Sequence, residues 1–395
     1  MAIGIQPVPR VSNDRDFSKG SIGEKFAAFN ERTNGFDYLR LCLALGVIFW
    51  HGVIASYGPE FDKTLHATPI GTVARMILPM FFALSGFLVA GSLVRTPSLR
   101  VFALHRVLRI FPALSVEVAL SGLLLGLLVT EVSLTEYFFS TGFVRYLFNV
   151  FGIISIWLPG VFQDNPVDWV NISLWTVPYE LECYLVLIGI AAIGLARRVG
   201  LYIAAFVGVC VIIAAIDLMT DYAALAVNRV PPRVLITCFL AGVGFYLIRG
   251  RVPVSFPLFI ISAVVAYLCT SYPILAYLTP VPIAYMTVYL GLLNIPRAPV
   301  ILDGDYSYGM YLYAFPFQQL QVYLFPDNRG WIQNMVFAIP CVIVFAAFSW
   351  HVIEKPILQK RKVLVAWSEK HLDALGAGLR ARLPFKPTPK NDPET

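Results

Sequence analysis

The sequence predicts an all-α protein, a polytopic membrane helix bundle of about ten transmembrane helices with one further re-entrant or interfacial helix. Two features of composition carry this prediction. Of the 395 residues, 58% are hydrophobic and only 14% are charged, and the mean hydropathy is +0.71. Apolar runs of about 20 residues, the length of a membrane-spanning helix, also recur along most of the chain. A soluble protein has too little interior to bury so many uncharged runs.

Composition divides the chain into three parts. Residues 1–35 are polar and basic and lack the short apolar core of a cleaved signal peptide, so we expect a cytosolic N-terminal segment. Residues 36–356 contain the apolar runs and form the membrane domain. Residues 357–395 form a basic, proline-containing tail that is too short for a separate domain and is expected in the cytosol.

The predicted spans follow from apolar runs and from the charge of the loops between them. Loop 95–109 is rich in arginine, and so are alternate later loops, which the positive-inside rule assigns to the cytosol together with both chain ends. Residues 145–162 are apolar but interrupted, and counting them as a span would turn the later basic loops outward. We therefore predict a re-entrant or interfacial helix there. The expected spans are 36–57, 70–94, 110–130, 174–196, 200–217, 233–249, 254–271, 274–293, 306–325 and 332–353.

The cysteines and the net charge exclude two classes of function. The six cysteines fall inside apolar runs without CxxC spacing, which is typical of small apolar filler and predicts neither a disulfide framework nor a metal site. The net charge of +6 is spread over short loops. Such a distribution reports orientation in a membrane, so we expect no nucleic-acid partner.

The segment RLCLALGVIFWH, residues 40–51, places a cation and an imidazole on one apolar helix. Eleven helical steps put Arg40 and His51 on the same face, about 16 Å apart along the axis. Arginine at this position can also snorkel to the interface, and a histidine can simply bond to a neighbouring helix. Intramembrane ionisable groups usually face a bundle interior or a wet cavity. We expect Arg40 and His51 to line one cavity.

Two further segments carry polar residues next to apolar runs. In FFALSGF, residues 81–87, Ser85 and the glycine after it permit close helix contact or a local break. In HRVLRIFPAL, residues 105–114, Arg106 and Arg109 project from one side of a helix. They are either ordinary positive-inside residues or a fork for the phosphates of a large cytosolic anion.

The segment SLWTVPYELECY, residues 173–184, brings a carboxylate to the membrane boundary. Glu180 needs a partner there, and the deep His51 is one candidate. Trp175 is either part of a site or an ordinary interfacial aromatic residue. At the end of the last span, His351 and Glu354 are interpreted as interfacial residues.

Taken together and in order, these segments resemble the acyltransferase-3 family of integral membrane acyltransferases, from about residue 36 to residue 356. The family's motif of a basic residue, ten other residues and then histidine is met by Arg40 and His51. Its remaining motifs are FFxLSGF around Ser85, RxxR at Arg106 and Arg109, WSLxxE at Trp175, Thr176 and Glu180, YSYGxYL around Tyr308, and EKP at 354–356. In the WSLxxE motif, this chain has Thr176 and Val177 where the family has Ser and Leu.

The resemblance implies an enzyme of a bacterial-type inner membrane that moves an acyl group, often acetyl, from cytosolic acyl-CoA to a hydroxyl of a surface glycan. The expected partners are the lipid bilayer and a glycan or lipid-linked glycan, and the expected donor substrate is acetyl-CoA, without a metal. Many members have a second histidine after the YGxYL motif, where this chain has Ala314. Some also carry a C-terminal hydrolase-like domain, which is not expected here.

Residue roles follow from the chemistry and the resemblance together. Transfer to a hydroxyl needs a base or an acyl-carrying nucleophile, and imidazole can be either, so His51 is the predicted catalytic centre. Arg40 is expected to hold the donor or the oxyanion, and Glu180 to orient His51. The predicted donor-binding residues are Arg106, Arg109 and Ser85. The residues predicted to contact the substrate or to maintain the structure of their motifs are Trp175, Thr176 and Tyr308. A transporter or flippase for a glycan or lipid, using the same buried charges, is the alternative.

Overall fold

The computed structural model describes residues 20–31, 33–96, 98–220, 231–298 and 304–368. Residues 1–19 of the expected N-terminal segment and residues 369–395 of the expected tail lie outside this part. The described chain is built from helices and contains an isolated bridge between Ser21 and Pro253 but no named strand. The prediction of an all-α bundle is therefore confirmed.

The helices are numbered in chain order. Three of them change pitch along their length: α5 and α14 contain π-helical turns, at Ser121–Leu125 and Ser349–Glu354, and α8 begins with a 3-10 turn at Ile172–Thr176. The bounds are α1 Ile22–Ala28, α2 Asn34–Tyr57, α3 Pro59–His66, α4 Pro69–Arg95, α5 Leu99–Val129, α6 Leu134–Phe139, α7 Thr141–Leu147, α8 Ile172–Ala192, α9 Val199–Met219, α10 Pro232–Leu247, α11 Phe256–Ser271, α12 Pro280–Gly291, α13 Ser307–Leu324 and α14 Trp331–Gln359.

Every predicted span contains one of these helices, but they differ in length and apolarity. Six of the described helices, α2, α4, α5, α8, α9 and α14, are long and apolar enough to cross a membrane. Helices α10 and α11 are apolar but shorter, and α12 has 12 residues. The long apolar helices thus show a multi-pass membrane protein. The number of membrane crossings, ten, stays a prediction.

Two small residues bring the central helices α4 and α10 into close contact. A Cβ atom added to Gly86 would lie 2.0 Å from the Phe239 carbonyl oxygen, and one added to Gly242 would lie 2.1 Å from the Ala83 carbonyl oxygen. Any larger residue would force the backbones apart, which is the reason for small residues at helix interfaces. Of the two sequence interpretations of Ser85–Gly86, the structure shows close contact, since α4 continues through it.

Two regions differ from the sequence expectations. Residues 145–162 do not form one re-entrant helix. Helix α7 ends at Leu147 and a 3-10 turn covers Phe148–Phe151. The chain then continues to residue 162 as turns and irregular structure. The glycine and proline residues that interrupt the apolar run explain this, because they favour turns. In the N-terminal segment, α1 buries Phe26, whose ring lies 5.3 Å from that of Phe87 in α4, so part of this polar segment packs on the bundle.

Candidate active site

Two cavities lie inside the bundle and collect the predicted site residues. The first, which we call the arginine cavity, has a volume of about 160 Å³. The second, the histidine cavity, has a volume of about 510 Å³. Among the residues that line the arginine cavity are Arg40, Ser85, Arg106, Arg109, Thr176, Glu180 and Tyr308. The histidine cavity contains the other two predicted residues, His51 and Trp175.

The expectation that Arg40 and His51 line one cavity is wrong. They share helix α2, but Arg40 lines the arginine cavity and His51 lines the histidine cavity. Leu78 of α4 lines both cavities, and the neighbours Trp175 and Thr176 line one cavity each. Helical spacing fixes the face on which two residues lie, but it does not show what packs between them.

The contacts of His51 come from α8 and α13. Its Nδ1 atom lies 3.4 Å from the Ser173 hydroxyl, and its ring makes an edge contact with Phe315 at 5.6 Å between centroids. The backbone N–H of Ser173 donates to the side-chain oxygen of Asn171 at 3.0 Å. The Asn171 amide in turn donates to the Glu117 carboxylate at 2.7 Å. His51 is therefore positioned by a fully buried polar chain that reaches α5.

Glu180 is not the partner of His51 that the sequence analysis expected. It lines the arginine cavity, where the Tyr184 hydroxyl donates to its carboxylate at 2.5 Å. Thr176 and Tyr311 form a hydroxyl–hydroxyl hydrogen bond of 2.8 Å beside the same cavity. Glu180 and His51 thus belong to different sides of the α8 turn, and the residue that orients the imidazole is Ser173.

Arg109 is neutralised by carboxylates. Its guanidinium donates to Asp305 at 2.7 Å and forms a second ion pair with Glu354, whose side chain is only 3% exposed. The Tyr308 ring lies 5.0 Å below the Arg109 guanidinium, and the Tyr308 hydroxyl donates to the Ile110 carbonyl oxygen. The interpretation of Glu354 as an interfacial residue was wrong, since it is buried against Arg109.

Asp305 links Arg109 to Arg40. Arg40 lies 3.5 Å from Asp305 and 3.5 Å from Asp37, and the Ser307 hydroxyl donates to the other oxygen of Asp305 at 2.7 Å. Burial alone would raise the pKa of the Asp305 carboxyl, but the two guanidiniums and this hydroxyl hold that pKa at about 2. Asp305 is therefore ionised at neutral pH and is a permanent counter-ion for both arginines.

Arg106 has a different environment from Arg109. Its guanidinium lies over the rings of Phe102 and Tyr184, at 5.5 and 5.8 Å from their centroids, and donates to the Ser92 hydroxyl at 3.3 Å. Within the described chain its Nε atom is buried without a hydrogen-bond partner, and no carboxylate lies within ion-pair distance. Arg106 therefore keeps donors for an anion, while those of Arg109 are engaged.

Sequence reasoning missed Asp305, Ser173 and the role of Glu354. Each lies next to a motif: Asp305 directly before YSYG, Ser173 two residues before Trp175, and Glu354 at the start of EKP. The available signal was electrostatic, because arginines near a membrane require counter-ions and the carboxylates beside motifs are the nearest candidates.

Comparisons with known proteins identify the family of the chain. A family model described as an acyltransferase domain matches residues 33–354. The chain is 26% identical over 334 residues to an O-acetyl transferase of Shigella phage Sf6, covering 83% of this chain and 97% of that protein. It is 27% identical over 368 residues to nodulation protein 10 of Rhizobium leguminosarum bv. viciae, covering 84% of this chain and 95% of that protein.

No solved structure matches the chain. The family match covers α2 through the paired Glu354, and therefore both cavities and the partition between them. The chain accordingly belongs to the acyltransferase-3 family and is a multi-pass membrane acyltransferase.

Proposed function

We propose that the protein is an O-acyltransferase that takes an acyl group, most simply acetyl, from acyl-CoA and places it on a hydroxyl of a cell-surface or exported glycan. One observation carries the proposal: a partly unsatisfied guanidinium and a half-buried imidazole line two neighbouring cavities that share Leu78, in an acyltransferase-family chain. The name of the phage relative, an O-acetyl transferase, supports acetyl as the acyl group and oxygen as its acceptor.

The donor is proposed to enter the arginine cavity. Acyl-CoA carries several phosphates, and guanidinium groups bind phosphate through paired N–H donors. Arg106 is the residue best placed to make such contacts, and Arg40, whose two carboxylate neighbours lie at 3.5 Å, supports it. Arg109 is instead proposed to hold Asp305 and Glu354 in place, so that it shapes the cavity without releasing its own partners.

His51 is proposed to carry the chemistry in one of two ways. As a general base, it takes the proton of the acceptor hydroxyl while that oxygen attacks the thioester carbonyl, and the C–S bond breaks to release the coenzyme A thiolate. As a nucleophile, its ring nitrogen first attacks the thioester carbonyl, and the C–S bond breaks to release the thiolate. The acceptor oxygen then attacks the acyl carbon, the C–N bond breaks, and the freed ring nitrogen takes the hydroxyl proton. Because Ser173 faces Nδ1, Nε2 is the ring atom proposed to react.

The basic loops favour an inner-membrane protein with both chain ends and the Arg106–Arg109 region in the cytosol. In that orientation the arginine cavity faces the cytosolic pool of acyl-CoA. The histidine cavity lies toward the opposite end of α2, where an exported glycan is found. The acyl group then crosses only the partition formed around Leu78 and Thr176.

The test combines purified protein and intact cells. Purified protein should consume isotope-labelled acetyl-CoA, and mass spectrometry of the cell-envelope glycans should show acetyl groups that disappear when the gene is deleted. The His51→Gln variant, matched in expression, should fail to restore them. A transporter or flippase would leave acetyl-CoA unconsumed while still changing the amount of exported glycan, and that result would replace the proposed function.

A further inference from the structure

The histidine cavity has features that the transfer chemistry alone does not require. Its volume of about 510 Å³ lies within the range of roughly 300–1,000 Å³ that is typical of small-molecule sites. Three indole rings, those of Trp50, Trp169 and Trp175, line it. A carboxylate, a second imidazole and a guanidinium line it as well, from Asp62, His66 and Arg75.

The polar residues of this cavity form a connected group on α2 and α3. The Trp50 indole N–H donates to Nε2 of His66 at 3.2 Å, and the two rings lie 4.4 Å apart between centroids. The same nitrogen lies 3.6 Å from the Asp62 carboxylate, one helical turn earlier on α3, and the Asp62 side chain is only 5% exposed. We call Trp50, Asp62 and His66 the α3 group.

Helix α3 is held over the cavity by contacts from α4. The Arg75 guanidinium donates to the His66 carbonyl oxygen at 2.7 Å and to the Thr72 hydroxyl at 2.9 Å. A cation is favoured at the C-terminal end of a helix because the last carbonyl groups lack intrahelical partners. The opposite wall is also fixed, since Gln319 donates to the carbonyl oxygen of Trp169 at 2.6 Å. The backbone at His66 and at Trp169, two residues that line the cavity, is therefore held in place by side chains of other elements.

From this arrangement we infer that the histidine cavity is a saccharide subsite in which the α3 group holds the acceptor sugar beside His51, an inference that rests on the proposed function. A pyranose ring presents apolar C–H faces and a rim of hydroxyl groups. Indole rings pack against such faces, while buried carboxylate and imidazole groups bond to such hydroxyls. Since Trp50 and His51 both line this cavity, a sugar on the α3 group lies in the same cavity as the reacting imidazole.

Two other ligand classes fit the cavity poorly. An alkyl chain would displace water from the polar wall of the cavity, lined by Asp62, His66 and Arg75, and would bring no hydrogen-bonding group to it, which is costly for polar groups. A phosphate-rich ligand would be repelled by the Asp62 carboxylate, while the Arg75 guanidinium already donates to the His66 carbonyl oxygen and the Thr72 hydroxyl. A neutral sugar supplies both donors and acceptors, and it satisfies the polar group and the indole rings at once.

Direct binding tests the subsite without requiring acyl transfer. Oligosaccharides released by mild acid from the envelope polysaccharides of cells lacking the gene are titrated into purified full-length protein, and quenching of tryptophan fluorescence is followed. Saturable binding is expected for the wild type. Asp62→Asn and His66→Gln preserve size and should weaken binding by about 10-fold or more, because each removes a hydrogen bond to a charged or polar buried group.

Lys63→Gln is the matched control, because Lys63 lies beside Asp62 on α3 but is exposed and pairs with Glu60. It should bind like the wild type, and all variants should keep the wild-type elution volume and melting temperature. Equal oligosaccharide affinity in Asp62→Asn, His66→Gln and the wild type would overturn the subsite. Failure of the wild type to consume acetyl-CoA would instead overturn the proposed function, and the binding result would still decide the subsite.

Discussion

The two cavities differ in how the protein accommodates polar groups inside a membrane bundle. In the arginine cavity, Arg109 and Arg40 are balanced by carboxylates of three separate helical regions, Asp37, Asp305 and Glu354. In the histidine cavity, His51 is satisfied by a hydroxyl and stands on a chain of hydrogen bonds. Full charges in a low dielectric need opposite charges, whereas a neutral imidazole needs only a hydrogen-bond partner.

This difference assigns different tasks to the cavities. A region of balanced charge around one less satisfied cation is suited to receiving an anion. A region of indole rings and hydrogen-bonding groups, in which the Asp62 carboxylate and the Arg75 guanidinium have opposite charges, is suited to proton transfer and to an uncharged substrate. The partition between them is thin, since Leu78 lines both cavities and the Thr176–Tyr311 hydrogen bond lies beside it. Substitutions on either side should therefore separate donor effects from chemical effects.

The largest effect is expected at His51. His51→Gln should lower the transfer rate by at least about 10²-fold, because glutamine can form a hydrogen bond but cannot accept the proton or carry the acyl group. Coenzyme A affinity should stay at the wild-type value, since His51 does not line the arginine cavity. Transfer kinetics and coenzyme A titration measure the two quantities, and near wild-type transfer in this variant would make His51 a packing residue.

The next effect separates the two arginines of the RxxR motif. Arg109→Met should reduce stability by about 3 kcal/mol, because it leaves Asp305 and the buried Glu354 without their counter-ion. The measurement is the melting temperature in detergent. Adding Asp305→Asn and Glu354→Gln to this variant should recover part of the loss, since no uncompensated charge then remains. A melting temperature unchanged by Arg109→Met would show that these ion pairs contribute nothing to stability.

Arg106→Met is the matched variant on the same helix. It removes no carboxylate partner found in the described chain, so its melting temperature should stay close to that of the wild type. Its affinity for coenzyme A should fall by roughly 10- to 100-fold, because a charge-assisted phosphate contact contributes about 1.5–3 kcal/mol. Wild-type coenzyme A affinity in Arg106→Met would return this residue to the role of an ordinary positive-inside arginine.

The smallest effect is expected at the partition. Leu78→Ala shortens the side chain that both cavities share, and the use of propionyl-CoA or butyryl-CoA relative to acetyl-CoA should rise several-fold. Ile77→Ala is the control, because Ile77, the residue before Leu78, lines the histidine cavity but not the arginine cavity. Competition between acyl-CoA donors measures the ratio. The same change in both variants would show that Leu78 does not limit the size of the acyl group.

The amino-acid sequence by itself determined the helical class and pointed to nine of the residues that line the two cavities. Apolar runs of membrane-spanning length leave a helix as the available structure, because every backbone group must be satisfied within its own segment. Seven of the nine predicted site residues do line one cavity, and the remaining two, His51 and Trp175, line the other. Polar residues inside apolar runs are informative since burying them requires a partner or a cavity.

Only the tertiary structure determined which side chains contact one another. Helical periodicity placed Arg40 and His51 on one face of α2, but Leu78 and the α8 turn come from distant parts of the chain and divide that face into two cavities. The sequence could not show that Glu354 reaches Arg109, 245 positions away, or that Ser173 faces His51, 122 positions away. Spacing along a helix is fixed by backbone geometry, whereas contacts between helices depend on how all of their surfaces pack together.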